Sequence, residues 1–201
     1  MTNHPSHARI ASLRQDYGTT RLGQQFEQVS KIIRANQIKL NNERDIFYVY
    51  IGGWDTHTNL GDKLGDLLEE VDGALEAFTN EMKLLELFDN VAVVSASDFG
   101  RTLTDNGVGT DHAWAGNHFI LGGGVKGGHV HGKFIDEYSE EGRQNIGRGR
   151  LIPTTPWDGW WNSVIRWFGV DNDEDVAHVL PNIGNFPKDG VMVLERDAVF
   201  D

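Results

Sequence analysis

Carboxylate and imidazole side chains recur together along this chain, each time beside a short apolar run. Asp55 and His57 stand one residue apart, just after the run at 46–51. Asp98 and Arg101 follow the run at 91–96, and Asp111, His112 and His118 precede the run at 119–121. Mixed oxygen and nitrogen donors of this kind suit Zn²⁺, and also Mn²⁺ or Fe. Mg²⁺ and Ca²⁺ are alternatives that take more oxygen ligands. A divalent ion polarises a phosphoryl or sulfuryl oxygen and stabilises the oxygens that attack and leave. Asp55, His57, Asp98, Asp111, His112 and His118 are therefore the candidate metal ligands. Arg101, three residues after Asp98, is the candidate catalytic residue, because a guanidinium can clamp an anionic substrate group with paired hydrogen bonds. Holding the loop by pairing with Asp98 or Asp105 is an equal reading of the same side chain.

Other chemistry-bearing residues carry plainer readings. His4 and His7 belong to a polar stretch without periodicity, expected to be a flexible end at 1–16. His129 and His131 alternate about Val130, which suits a half-exposed hairpin better than extra ligands; His178 reads as structural. The segment 127–134 has the glycine and lysine spacing of a phosphate loop, yet Phe134 stands where a magnesium-binding hydroxyl is needed. Ser95 and Ser97 end an apolar run, but the G-x-S-x-G nucleophile elbow is missing.

Placing these residues requires a scaffold. The run at 46–51 (Ile-Phe-Tyr-Val-Tyr-Ile) reads as a buried strand, ended by Gly52 and Gly53. Leu60, Leu64, Leu67, Leu68, Val71, Leu75, Phe78, Met82 and Leu85 mark one face of a long helix, with acidic residues on the solvated side. A second strand follows at 91–96. Strand, helix, strand in this order predicts a right-handed crossover and parallel pairing, which brings Asp55, His57 and Asp98 to one sheet edge. Residues near 118–121 predict a third strand, an antiparallel neighbour, returning Asp111, His112 and His118 to that edge. The intervening stretch, 97–118, reads as a long irregular binding loop. Helices are expected at 20–40, at 153–169 with Thr155 as cap and Pro156 in the first turn, and at 174–180. An exposed loop is expected at 138–150 and a short strand at 191–194. The whole predicts an α/β fold with a mixed, largely parallel sheet flanked by helices, in a single domain over 17–201.

Composition narrows the partners. A chain of 201 residues with 39% hydrophobic content can bury a core. Its net charge of −12 argues against nucleic acid or an anionic membrane as partner, but not against a small anionic ester at a metal. No cysteine is present, which removes thiol nucleophiles and thiolate metal sites. The first residues lack the apolar core of an export signal, and no apolar run reaches membrane-spanning length.

Together, Gly52-Gly-Trp-Asp55-Thr-His57, Ser97-Asp98-Phe-Gly-Arg101-Thr102, Asn106-Gly-Val-Gly-Thr-Asp111-His112-Ala-Trp and Leu121-Gly-Gly-Gly-Val-Lys-Gly-Gly resemble the "domain of unknown function 1501" family. Gly147-Arg-Gly-Arg-Leu-Ile-Pro-Thr154 and Trp167-Phe-Gly169 continue the resemblance, which covers most of 20–190 and the family's C-terminal portion. The resemblance implies an alkaline-phosphatase- or sulfatase-like fold, metal-assisted hydrolysis of phosphate or sulfate esters, and export to the periplasm for full-length members. That superfamily usually reads Ser-Asp-His-Gly where this chain has Phe99. Its first metal-binding Asp and its Ser or Thr nucleophile lie in a preceding region. The leading expectation is thus a metal-dependent ester hydrolase domain, incomplete by itself. The alternative is a non-catalytic binding or assembly domain on the same scaffold. A two-His-one-carboxylate iron oxygenase fits the donors but not the long helix.

Overall fold

A computed structural model describes residues 15–37 and 43–201. The segment expected to be a flexible end falls mostly outside them. The chain divides into two compact units, Met1–Val91 and Ala92–Asp201.

The first unit is built on two helices. Helix α1 spans Arg21–Ala35 and opens at Thr20, whose side chain accepts a hydrogen bond from the Gly23 N–H. A second orphan donor, the Leu22 N–H, is taken by the Glu70 carboxylate at 3.0 Å, placing negative charge at the positive end of the helix. Helix α2 spans Leu60–Leu84. Leu22, Phe26 and Val29 of α1 are buried, as are Ala74, Ala77, Phe78 and Met82 of α2. Phe26 and Phe78 meet with ring centroids 5.0 Å apart. The expected apolar face of α2 is buried only in its C-terminal half, for Leu64 and Leu68 are exposed. Arg34 and Glu81 form a buried ion pair beside this core.

The strand expected at 46–51 is extended but unpaired. Exposure alternates residue by residue, the pleat of a strand, while none of its backbone groups pairs with another backbone among the described residues. Ile46 and Tyr48 are more than four-fifths exposed. Aromatic and β-branched composition thus set the local conformation without supplying a neighbour, and a ladder needs both.

In the second unit, β1 (Ala92–Val94) pairs antiparallel with β4 (Ile120–Gly122), with Val93 opposite Leu121. This is the antiparallel neighbour expected near 118–121. Strands β2 (Gly100–Asp105) and β3 (Thr110–Ala113) form a second antiparallel pair. Both sheets are two-stranded and antiparallel, so the largely parallel sheet expected from the strand–helix–strand order is not formed among the described residues. Mixed α/β content holds; the crossover pairing does not. Helix α3 (Trp157–Phe168) ends at Gly169, whose φ of 110° closes the last turn. Its N-cap is Pro156, not Thr155, which instead donates its hydroxyl proton to the Val191 carbonyl. Helices α4 (Asp173–Val179) and α5 (Arg196–Val199) follow. The segment 191–194 is no strand, yet Val193 and Leu194 are buried. The core gathers Leu194, Val199 and Phe200 with Ile120, Trp160, Val164 and Trp167 around them. The aromatic helix is thus a core helix.

Candidate functional site

In the first unit, the site residues sit on a tight loop. Gly53 adopts a φ of 101°, a conformation open to glycine, and turns the chain out of the extended segment. The Trp54 indole N–H donates to the Ile51 carbonyl at 3.1 Å, and the Thr56 N–H donates back to the Trp54 carbonyl at 2.9 Å. Thr56 is buried while its neighbours on both sides are exposed. Asp55 and His57 are thereby held side by side at the surface: His57 Nε2 lies 2.9 Å from Asp55 Oδ1. About half of each side chain, 59% for Asp55 and 47% for His57, remains open to solvent.

In the second unit, the stretch expected to be irregular is a hairpin. Asp105-Asn106-Gly107 makes its turn. Asp105 Oδ1 accepts from the Gly107 N–H, and Asn106 Oδ1 accepts from the N–H groups of Val108 and Gly109. Arg101 and His112 face each other across the strands. Arg101 donates from Nη1 to the Thr110 carbonyl at 2.7 Å and lies 5.0 Å above the Phe99 ring. The same Phe99 ring stacks on His112, centroids 4.0 Å apart and planes only 3° off parallel. Phe99 thus supports the imidazole of a candidate ligand.

The other candidates are placed differently. Asp111 Oδ2 meets Arg148 Nη2 at 2.5 Å, so an arginine shares that carboxylate. Asp98 is exposed. His118 is half-buried at the entrance to β4, 4.5 Å from the Trp157 ring and 6.1 Å from Trp160. Burial disfavours its charged form and lowers its pKa below the ordinary histidine value. Within the second unit no three of Asp98, Asp111, His112 and His118 form a ligand group among the described residues.

Arg148 was not foreseen. It sits in the segment expected to be an exposed loop, in the left-handed conformation (φ 59°) between Gly147 and Gly149, both also at positive φ. A side chain at Gly149 would come within 2.8 Å of the Leu103 N, so this loop packs tightly on β2. The signal was the alternation Gly-Arg-Gly-Arg, which reads as a turn rather than as a way to aim a cation.

Residues 7–146 match the family described as "Protein of unknown function (DUF1501)". The chain belongs to this family. The DUF1501 match ends before Arg148, so the segments 147–154 and 167–169 lie beyond it. No curated protein and no solved structure matches the chain.

Proposed function

We propose that this DUF1501 chain binds a divalent cation at the Asp55–His57 pair, and that it serves hydrolysis of phosphate or sulfate esters. The observation that carries the reading is the Asp55–His57 pair, a carboxylate and an imidazole held 2.9 Å apart on a constrained loop and half open to solvent. One oxygen donor with imidazole nitrogen fits Zn²⁺ first and Mn²⁺ next. In the second unit, His112, exposed and stacked flat on Phe99, is a separate candidate donor. When bound, such an ion polarises an ester oxygen and lowers the pKa of a water. In the second unit, Arg101, fixed by the Thr110 carbonyl, is a cation that can hold the anionic oxygens of an ester. Asp111 and Arg148 form a second charged pair that orients the hairpin beside them. The alkaline-phosphatase-like relation implied by the sequence motifs belongs to this same reading.

A second reading, a binding domain without catalysis, is favoured by the hydroxyl groups. Ser97 Oγ donates to the Phe99 carbonyl, Thr102 Oγ1 to the Thr104 carbonyl, and Ser95 Oγ accepts from the Phe119 N–H. Each is occupied locally, so the chain offers no ready nucleophile among them.

Metal analysis of the purified chain, with turnover of an aryl phosphate and an aryl sulfate, tests both. Asp55→Ala and His57→Ala are each expected to lower metal affinity by more than the about ten- to hundredfold that loss of an outer-shell partner costs. Unchanged metal content in both variants removes the site. Metal bound with neither ester cleaved favours the binding domain.

A further inference from the structure

The tip of the β2–β3 hairpin holds the one Asn-Gly pair in the sequence, Asn106-Gly107. A backbone nitrogen reaches a side-chain amide most easily in such a pair, because glycine sets no Cβ against the approach. The hydrogen bonds of the turn bear on each atom that this attack involves. Asn106 Oδ1 accepts from the Val108 N–H at 3.1 Å and from the Gly109 N–H at 2.8 Å. Two donors on one carbonyl oxygen draw electron density from Cγ, as the donors of an oxyanion hole do. They also fold the carboxamide back along its own peptide bond, the side on which the Gly107 nitrogen lies. That nitrogen points its proton at a base, for the Gly107 N–H donates to Asp105 Oδ1 at 2.8 Å. Asn106 Nδ2, the group that would leave, lies 3.5 Å from Asp111 Oδ1. Asn106 and Gly107 are exposed, and a Cβ at Gly107 would stand in open space, so water reaches the turn.

We infer that Asn106 is a site of self-catalysed deamidation in the folded hairpin, with Asp105 as its base. The Gly107 nitrogen bonds to Asn106 Cγ while Asp105 takes the amide proton. The Cγ–Nδ2 bond then breaks, and that proton returns to the leaving nitrogen, which departs as ammonia. Water opens the cyclic imide at either carbonyl, giving aspartate or isoaspartate. No electrons are exchanged, and water is the only co-reactant. The new carboxylate stands where an amide faced Asp111, a like charge beside the carboxylate that Arg148 shares. The isoaspartate product also inserts a backbone carbon between Asp105 and Thr110, which are paired across the hairpin. The reaction is a one-way change of charge and register at the end of β2–β3, separate from ester hydrolysis.

The test incubates the purified full chain in warm neutral buffer and follows the tryptic peptide 102–126 by fragmentation mass spectrometry. Asn117 lies on the same peptide and serves as the internal reference. Asn106 is expected to take on the mass of the acid, with isoaspartate among the products, while Asn117 keeps its amide. Asp105→Asn retains an acceptor for the Gly107 N–H but removes the base, so conversion at Asn106 should slow by about tenfold or more. In urea, where the turn is lost, the two chains should convert at the same rate. An Asn106 that keeps its amide in the folded wild type overturns the inference. Equal rates in the folded wild type and in Asp105→Asn overturn it too. So does a difference that survives in urea, since the turn would then have no part in it.

Discussion

Tyr17 and Ser30 share a hydrogen bond of 2.5 Å inside the first unit, and burial pushes the Tyr17 phenol well above its ordinary value near 10. The folded form therefore resists losing that proton, whereas the unfolded chain releases it near pH 10. Stability from this group is complete below pH 10 and falls as pH rises further. Denaturant midpoints between pH 8 and pH 11 should show the decline, and Tyr17→Phe should flatten it. Nearby, the Arg34–Glu81 pair is buried on both sides. Glu81→Ala strands a buried guanidinium and is expected to cost about 3–5 kcal/mol, measured as a fall in the urea midpoint. None of this is legible in the sequence, because a charged residue on an amphipathic helix gives no sign of the distant partner with which it is buried. Asp55 and His57, by contrast, were legible as a pair, because a separation of two residues on a glycine-flanked loop restricts where they can point.

At the scale of elements, periodicity served well and pairing did not. Leu22, Phe26 and Val29 announce α1, and the Trp-rich pattern announces α3. At 46–51 the expected buried strand is only an extended, largely exposed segment, since sheet partners are set by distant contacts that no local pattern encodes. The hairpin β2–β3 was missed although Asn106-Gly107 is a strong turn signal; its polar, Thr-rich strands lack the apolar alternation that marks a half-buried strand. Gly159 was also silent in the sequence. A Cβ there would lie 1.6 Å from the Met192 carbonyl oxygen, because α3 packs against the chain at 192–194 through that glycine. The backbone bond from the Leu194 N–H to the Gly159 carbonyl and the Asn162 bond to the Leu194 carbonyl fix the same contact. Gly159→Ala is therefore expected to destabilise the second unit by at least about 2 kcal/mol, seen as a lower melting temperature with the α1 and α2 amides still protected.

For the whole molecule, charge and composition restrict what the chain meets. No described helix is long and apolar enough to cross a membrane. A net charge of −12 favours cations, and the proposed ion site has a thermodynamic signature. At a free Zn²⁺ concentration a hundred times its dissociation constant, stability should rise by about 2.7 kcal/mol. Calorimetry before and after chelation checks this, and a melting temperature indifferent to Zn²⁺ counts against the site. Family membership was legible from motif order alone, since a string of short loops in sequence survives where pairing cannot be read.

The face-to-face contact between Phe99 and His112 has one more implication. With one side of the imidazole covered by a parallel ring, the plane of the heterocycle is chosen during folding. Rotational freedom that a loose histidine gives up on coordination is here surrendered during folding. Replacing the phenyl ring by a small side chain should thus weaken ion capture mainly through entropy, while the donor atoms themselves stay the same.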